Sequence, residues 1–458
     1  MTKPVTEPAP RLAGLDAVGA LADLGLPSLA AGVLARRRRT VGLLDRLDAD
    51  SRGVRRLHQL RRRFGPGPVV LEIPGRRVVV PLDPADVADV LRRSPSPFDP
   101  ASWEKRHALA QFQPHAVLIS RGAIRQERRR YNEAVLDTGA PLHRLAQRLH
   151  AVITEEADET VDRAVATGSL NSAAFVVSWW RLVRRLVLGS AARTDEAVTD
   201  DLWRLRSAGN WSFASLPHVR RRERFIGRLY HYAEDADPDS LLGVLAATPA
   251  AGAVDPVGQV PHWLFAFDAA GMAALRAAAV LAARPAEAAR CETDAPSELA
   301  LRPYLRAAVL ESVRLWPTTP AILRDLDADA TWREGTADAV TVSAPATVLI
   351  PVPAFHRDPD LVPFADDFVP DIWLDGRAQQ YPQLVPFSAG PAECPGRDLV
   401  LFVTSSLLAA LLSRMQLTLR DGARLAAGRP LPATLNQFGL EFDVQRQRRD
   451  ASLVVGTS

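Results

Sequence analysis

The chain has little cysteine and almost no lysine. Two cysteines in 458 residues cannot build a disulfide framework, so a reducing, cytoplasmic setting is expected. Lysine occurs only at Lys3 and Lys105, which leaves arginine to carry nearly all the positive charge. With 56 basic against 53 acidic residues the net charge is only +3, far from the excess of a dedicated nucleic-acid binder. Arginine clusters do occur at Arg36–Arg39, Arg61–Arg63, Arg128–Arg130 and Arg220–Arg222, but none is interleaved with aromatics as a single-strand stacking platform requires. They read as solvated helix faces, with one of them open to serve as a docking surface for an acidic partner. No nucleic-acid partner is expected.

Linkers are lacking too. No Ser/Gly-rich or low-complexity stretch divides the chain, and 47% apolar with 24% charged residues describes an ordinary soluble globular protein. Residues 1–66 are expected to form an N-terminal helical extension packed on the core, and residues 67–458 a single domain. Leu12 to Leu34 is rich in Ala, Leu and Gly and superficially resembles a membrane segment. Asp16 and Asp23 interrupt it, and a carboxylate is costly at a bilayer centre. Its basic run follows the apolar stretch, the reverse of a signal peptide. An amphipathic or packing helix is therefore expected, with peripheral membrane contact as the lesser alternative.

Gly67 to Leu82 reads as a hairpin, because Pro74-Gly75 separates two β-branched runs. Asp83-Pro84 opens a short helix to about Arg93. Ser94 to Ile119 holds prolines 95, 97, 100 and 114 and reads as a long irregular loop. Helical patterning dominates from Arg121 to Thr293. One more helix, Leu305 to Trp316, precedes short strands around Thr341 to Ile350 and a Pro-rich meander to Pro386. An apolar helix, Leu399 to Leu412, and a β-like tail, Leu440 to Val455, close the chain. The expected class is mostly α with a small β region.

The most specific signal is Phe387-Ser-Ala-Gly-Pro-Ala-Glu-Cys394-Pro-Gly396. It places a cysteine in a Gly/Pro-rich loop that runs into an apolar helix, where orphan N–H groups and the macrodipole favour a thiolate. Gly390 and Gly396 leave room for a flat ligand beside the backbone, and Phe387 can cover the sulfur. These are the needs of a haem-iron ligand. The segment resembles the haem-binding loop of the cytochrome P-450 superfamily, Phe-x-x-Gly-x-Arg-x-Cys-x-Gly, with Ala392 at the arginine position.

The resemblance extends along most of the chain and implies the cytochrome P-450 fold, haem b (iron protoporphyrin IX) as cofactor and Cys394 as metal ligand. Glu311-Ser-Val-Arg314 is similar to the Glu-x-x-Arg pair that braces the family's meander; taken alone, such an i, i+3 pair is an ordinary surface contact. Arg324 matches the basic residue of the strand that meets a propionate. Ala354-Phe-His-Arg-Asp-Pro359 and Phe368-Val-Pro370 look like the segments that follow. His356 is read as a propionate or backbone partner rather than a metal ligand. In Val117 to Arg129, anchoring on Gly122 puts Arg125 and Arg129 towards the propionates; a one-residue shift selects Ile124 and Arg128 instead.

The departure lies in the apolar helix Val260 to Ala283. The family crosses the haem with Ala/Gly-Gly-x-Asp/Glu-Thr. Here Ala270-Gly271-Met272 fits the start, while Ala273 and Ala274 replace the acid and the alcohol that relay protons. Ala270, Gly271 and Ala274 are thus expected over the haem without a relay. Asp268 is about 140° round the helix from position 273 and is expected to be no substitute. Trp211, Phe213 and Phe225 fit either a pocket roof or plain packing.

The resemblance implies monooxygenation of a small or medium apolar molecule, expected in secondary metabolism, with electrons from a ferredoxin or flavoprotein reductase. Without the relay, a peroxide-driven oxygenase or a non-oxygenating isomerase or dehydratase is the alternative. A catalytically silent haem-binding partner is the third reading.

Overall fold

The computed structural model describes residues 7–212, 216–293 and 298–447. Its largest sheet has six strands in the order Arg11–Ala13, Val69–Ile73, Arg76–Val80, Ala346–Pro351, Ala321–Leu326 and Phe98–Asp99. Two of these are the expected hairpin, turning at Gly75 with φ +75° and pairing Val70 with Val79. Ala346–Pro351 lies centrally and is buried at every position, as the β-branched and aliphatic run predicts. In Ala321–Leu326 the two-residue period turns Ile322, Arg324 and Leu326 to the buried side. Strand geometry alone therefore commits a guanidinium to the interior.

Residues 7–66 share these sheets with the rest of the chain. Arg11–Ala13 pairs with Val69–Ile73, and Glu7–Pro8 pairs with Val340–Val342. Helix Gly14–Ala31 buries Ala17, Ala20 and Leu24 and turns Leu15, Leu26 and Leu29 outward. Helix Asp50–Phe64 packs on the short helix Val352–His356.

The helical part surrounds Val260–Ala282, the longest helix, which packs on Ser172–Leu188, Pro303–Leu315 and Arg397–Leu412. Gly14–Ala31 and Val257–Ala282 are both long and apolar enough to cross a membrane, but the latter is largely buried inside the protein. A helix apolar nearly all round belongs in a protein core when neighbours cover it.

Ser94 to Ile119 is more ordered than its prolines suggest. It contains strand Phe98–Asp99 and helix Trp103–Leu109, whose Ser102 cap accepts from Lys105 N–H at 3.5 Å. Pro100 ends before the cap and so does not oppose the helix. At the other end of the chain, Glu441–Arg446 pairs with Met415–Leu419 and Ser169–Asn171, while the expected tail beyond residue 447 lies outside the described residues.

Candidate active site

The cysteine loop is fixed by its backbone. Gly390 has φ +66°, and a Cβ there would lie 2.4 Å from the Leu91 carbonyl oxygen, so only glycine allows the loop to press on helix Pro84–Arg92. Gly396 has ordinary φ and, with Leu136 Cδ1 3.8 Å away, is not constrained in that way. Cys394 N–H donates to the Phe387 carbonyl at 2.9 Å, closing the loop, and Thr138 Oγ1 donates to the Pro395 carbonyl at 2.8 Å. Cys394 is half-buried just before helix Arg397–Leu412. Burial pushes its thiol up, while the Gly396 N–H and the charge of Arg129 act in the opposite direction. Phe387 is half-buried against the main core, and Ala392 supplies no charge at all.

Two arginines of helix Gly122–Val135 reach this loop. Arg125 donates to the Pro391 carbonyl at 3.5 Å, and Arg129 to the carbonyl of Glu393, next to the cysteine. Arg128 turns away, to Val254 O and Ser120 Oγ. The Gly122 anchoring, not the shifted one, therefore describes which side chains face the loop. Arg324, 3% exposed, donates from Nε to Ser94 Oγ at 2.9 Å and from Nη1 to the Leu323 carbonyl.

Burial lowers Arg324 to about 10, and the nearby charge of Arg125 is the next cause. Arg125 is lowered by burial as well, then by Arg129. Among the described residues neither Arg125 nor Arg324 has a carboxylate partner, since Asp99 pairs with Arg121. Two buried guanidiniums that repel each other are held most stably around a shared dianion. A soft thiol with two such cations nearby fits a haem, with its iron and its two propionates.

His356 does not belong to that set. It is fully buried, its Nε2 accepts from Val385 N–H at 3.0 Å, and its Nδ1–H donates to the Arg314 carbonyl at 3.0 Å. Of the two roles expected for it, the geometry shows the backbone one, and both ring nitrogens are used. Burial pushes it down to about 3. Glu311 and Arg314 lie deep in helix Pro303–Leu315, where Arg314 also donates to the carbonyls of His356, Ala365 and Asp367. The pair thus pins the meander to the helix.

The central helix departs from the sequence reading. Ala270 and Ala274 are buried, and a Cβ on Gly271 would meet Trp179 Nε1 at 2.6 Å, so this face packs on helix Ser172–Leu188. The incompletely buried stripe is His262, Phe265, Ala266, Asp268, Ala269 and Met272, which share one side of the helix. It is bordered by Phe112 and Gln113, by Arg206 of helix Glu196–Gly209, and by Gln437, all of them buried. The expected set Ala270, Gly271, Ala274 is therefore corrected to this stripe, because the register of an all-apolar helix is set by its neighbours.

Asp268 is ion-paired with Arg206, whose Nε donates to Leu34 O at 2.9 Å and whose guanidinium lies 4.8 Å from the Phe265 ring centroid. Sequence reasoning missed Arg206, His262 and Gln113, since nothing local marks them. Trp211 is 51% exposed beneath Arg37, and Phe225 is fully buried in the core. Neither fits a pocket roof, and Phe213 lies outside the described residues.

The cysteine loop, with Arg125 and Arg129 reaching it, offers the donor set of a haem-thiolate site. A family profile described as cytochrome P-450 matches residues 289–427, which include the Glu311–Arg314 pair and the cysteine loop. Cyclooctat-9-en-7-ol 5-monooxygenase of Streptomyces melanosporofaciens is 32% identical over 133 residues, 29% of this chain and 26% of that protein. Beta-amyrin 24-hydroxylase of Glycine max is 32% identical over 141 residues, again 29% and 26%. The matched stretch thus spans only about a quarter of these relatives' length. Retinoic acid-bound cyanobacterial CYP120A1 superposes with TM-score 0.71 at 17% identity, covering 96% of this chain and 100% of that one. Residues 289–427 thus resemble the cytochrome P-450 family, and the chain as a whole shares the fold of that solved structure.

Proposed function

We propose that the protein is a haem b-dependent monooxygenase of a small or medium apolar molecule in secondary metabolism. It works in the cytoplasm with electrons from a ferredoxin or flavoprotein reductase. The observation that carries this reading is Cys394 set at a helix entrance, with Arg125 donating to Pro391 of the same loop and Arg324 beside Arg125, neither arginine having a carboxylate partner among the described residues. A bound haem with a thiolate ligand supplies an iron centre at which electron donation from sulfur favours O–O cleavage.

The chain's own residues do the rest. Arg125 and Arg324 would hold the haem carboxylates, and Phe387, at the start of the loop, would shield the sulfur. Phe112 and Phe265, edge to face at 5.7 Å, form an apolar wall at one end of the stripe, and Ala266 and Ala269 leave their part of the helix unencumbered for substrate. Monooxygenase and hydroxylase relatives support the reaction class.

One observation favours a second reading, peroxide-driven oxygenation. Helix Val260–Ala282 carries no hydroxyl side chain, and its one carboxylate, Asp268, is bound to Arg206. Protons must then come from ordered water, from a substrate hydroxyl, or with peroxide itself. The deciding experiment loads the full chain with haem and records the reduced, CO-bound Soret band, then compares turnover with NADPH plus a surrogate ferredoxin system against hydrogen peroxide. A thiolate-type band with NADPH-driven turnover is expected. Turnover with peroxide alone demotes dioxygen chemistry, and a band that is absent, or unchanged in Cys394→Ser, overturns the haem-thiolate reading.

A further inference from the structure

On the substrate stripe one residue is polar and uncharged. His262 shares a helix face with Phe265, Ala266 and Ala269, and its Nδ1 lies 3.1 Å from Gln113 Oε1. An amide oxygen only accepts, so Nδ1 carries the hydrogen and Nε2 keeps a lone pair. No protein group fills that lone pair among the described residues. Burial drives His262 down to about 4, so the ring is neutral at physiological pH and the lone pair is available.

Gln113 completes the argument. It is fully buried, and its amide Nε2 has no hydrogen-bond partner. A buried donor left unpaired costs stability and calls for an explanation. The pair therefore presents one unmet acceptor and one unmet donor, surrounded by Phe112 and Phe265.

We propose that His262 and Gln113 are specificity-determining residues that read a hydroxyl group on an otherwise apolar substrate. A hydroxyl is the simplest group that both donates, to His262 Nε2, and accepts, from Gln113 Nε2. A ketone satisfies only the donor, and a hydrocarbon satisfies neither. Apolar walls supply the affinity, and the pair fixes which end of the molecule lies at the segment 94–119 side, and hence which carbon faces the opposite end of the stripe. The inference rests on the monooxygenase reading, because it takes the stripe as the substrate wall.

The test uses the haem-loaded full chain and three probes of one size: cyclooctanol, cyclooctanone and cyclooctane, titrated by calorimetry. The alcohol is expected to bind about tenfold tighter than the hydrocarbon and several-fold tighter than the ketone, the discrimination of a site with buried polar groups to satisfy. His262→Phe should bring alcohol and ketone within about twofold while leaving the hydrocarbon unchanged. Gln113→Met, which removes the pair from the other side without opening a large cavity, should shrink the alcohol preference likewise. Equal affinities in the native protein, or an alcohol preference that survives both variants, overturn the inference. The CO-bound Soret band is recorded on the same samples: present with equal affinities, it leaves the haem reading standing and sinks only this inference; absent, it sinks the haem reading while the calorimetry still decides the hydroxyl preference.

Discussion

Arg314 meets Glu311 through two parallel hydrogen bonds, Nε to Oε2 at 2.8 Å and Nη2 to Oε1 at 2.6 Å, with both side chains fully buried. The carboxylate also accepts from Val369 N–H at 2.9 Å and Trp373 Nε1–H at 3.0 Å. Every lone pair and proton of the pair is therefore engaged, which is the condition under which a buried ion pair is tolerated. Removing one partner leaves a charge without compensation.

Glu311→Gln or Arg314→Met should accordingly destabilise the fold by about 3–5 kcal/mol. Urea unfolding followed by circular dichroism measures it. A loss under about 1 kcal/mol in both variants would show that the pair is not what holds the meander in place.

Cys394→Ser should abolish the thiolate-type CO band while leaving the far-ultraviolet spectrum unchanged. The residue is half-buried at the edge of a helix whose core runs from Leu399 onward, so its packing contribution is small. Loss of helicity in the variant would assign the cysteine a structural role instead.

Arg125→Ala and Arg324→Ala should each weaken haem retention by roughly tenfold to a hundredfold, the worth of one charge-assisted hydrogen bond. Arg128→Ala should leave it unchanged, because Arg128 is engaged with Val254 O and Ser120 Oγ. Haem transfer to excess apomyoglobin gives the rates. An equal effect at Arg128 would contradict the placement of these side chains.

His356 makes stability depend on pH in a predictable direction. Its folded-state value is depressed to about 3, below the unfolded value of about 6.5. The native state resists protonation, so its contribution is fully present above about pH 6.5 and falls away as the pH drops towards 3. The slope is at most about 1.4 kcal/mol per pH unit for one group. Urea midpoints at pH 7, 6 and 5 should therefore decline, and His356→Gln, less stable at pH 7, should show a shallower decline. Parallel curves would mean that His356 does not titrate differently on folding.

Asp268→Asn breaks the ion pair with Arg206 and removes the one carboxylate of the central helix. Because Asp268 is held by Arg206 and protons come from elsewhere, NADPH-driven and peroxide-driven turnover should change to the same extent. A loss of roughly a hundredfold confined to the NADPH assay would instead make Asp268 a proton relay.

How much of this was legible beforehand differs by residue. The cysteine loop could be read because its requirements are local: a left-handed backbone at Gly390, a thiol before an apolar helix, an aromatic at the start. Glu311 and Arg314 were visible as a spaced pair in an apolar helix, although only their complete burial distinguishes them from a surface contact. Helix Trp103–Leu109 was hidden behind prolines that end just before its Ser102 cap. The face of the central helix was misjudged, since Ala, Gly and Leu on all sides give no period to follow.

The sequence by itself determined the cysteine loop, the spacing of Glu311 and Arg314 on one helix and a mostly helical class. Each depends on neighbours a few residues apart, where backbone sterics and side-chain spacing leave few options. Only the tertiary structure decided which arginines stay without a carboxylate, that Gly271 turns to Trp179, and that Asp268 is held by Arg206 while His262 meets Gln113. Those relations join segments from 62 to 149 residues apart. They are fixed by which surfaces pack together, and no local period in the chain encodes that.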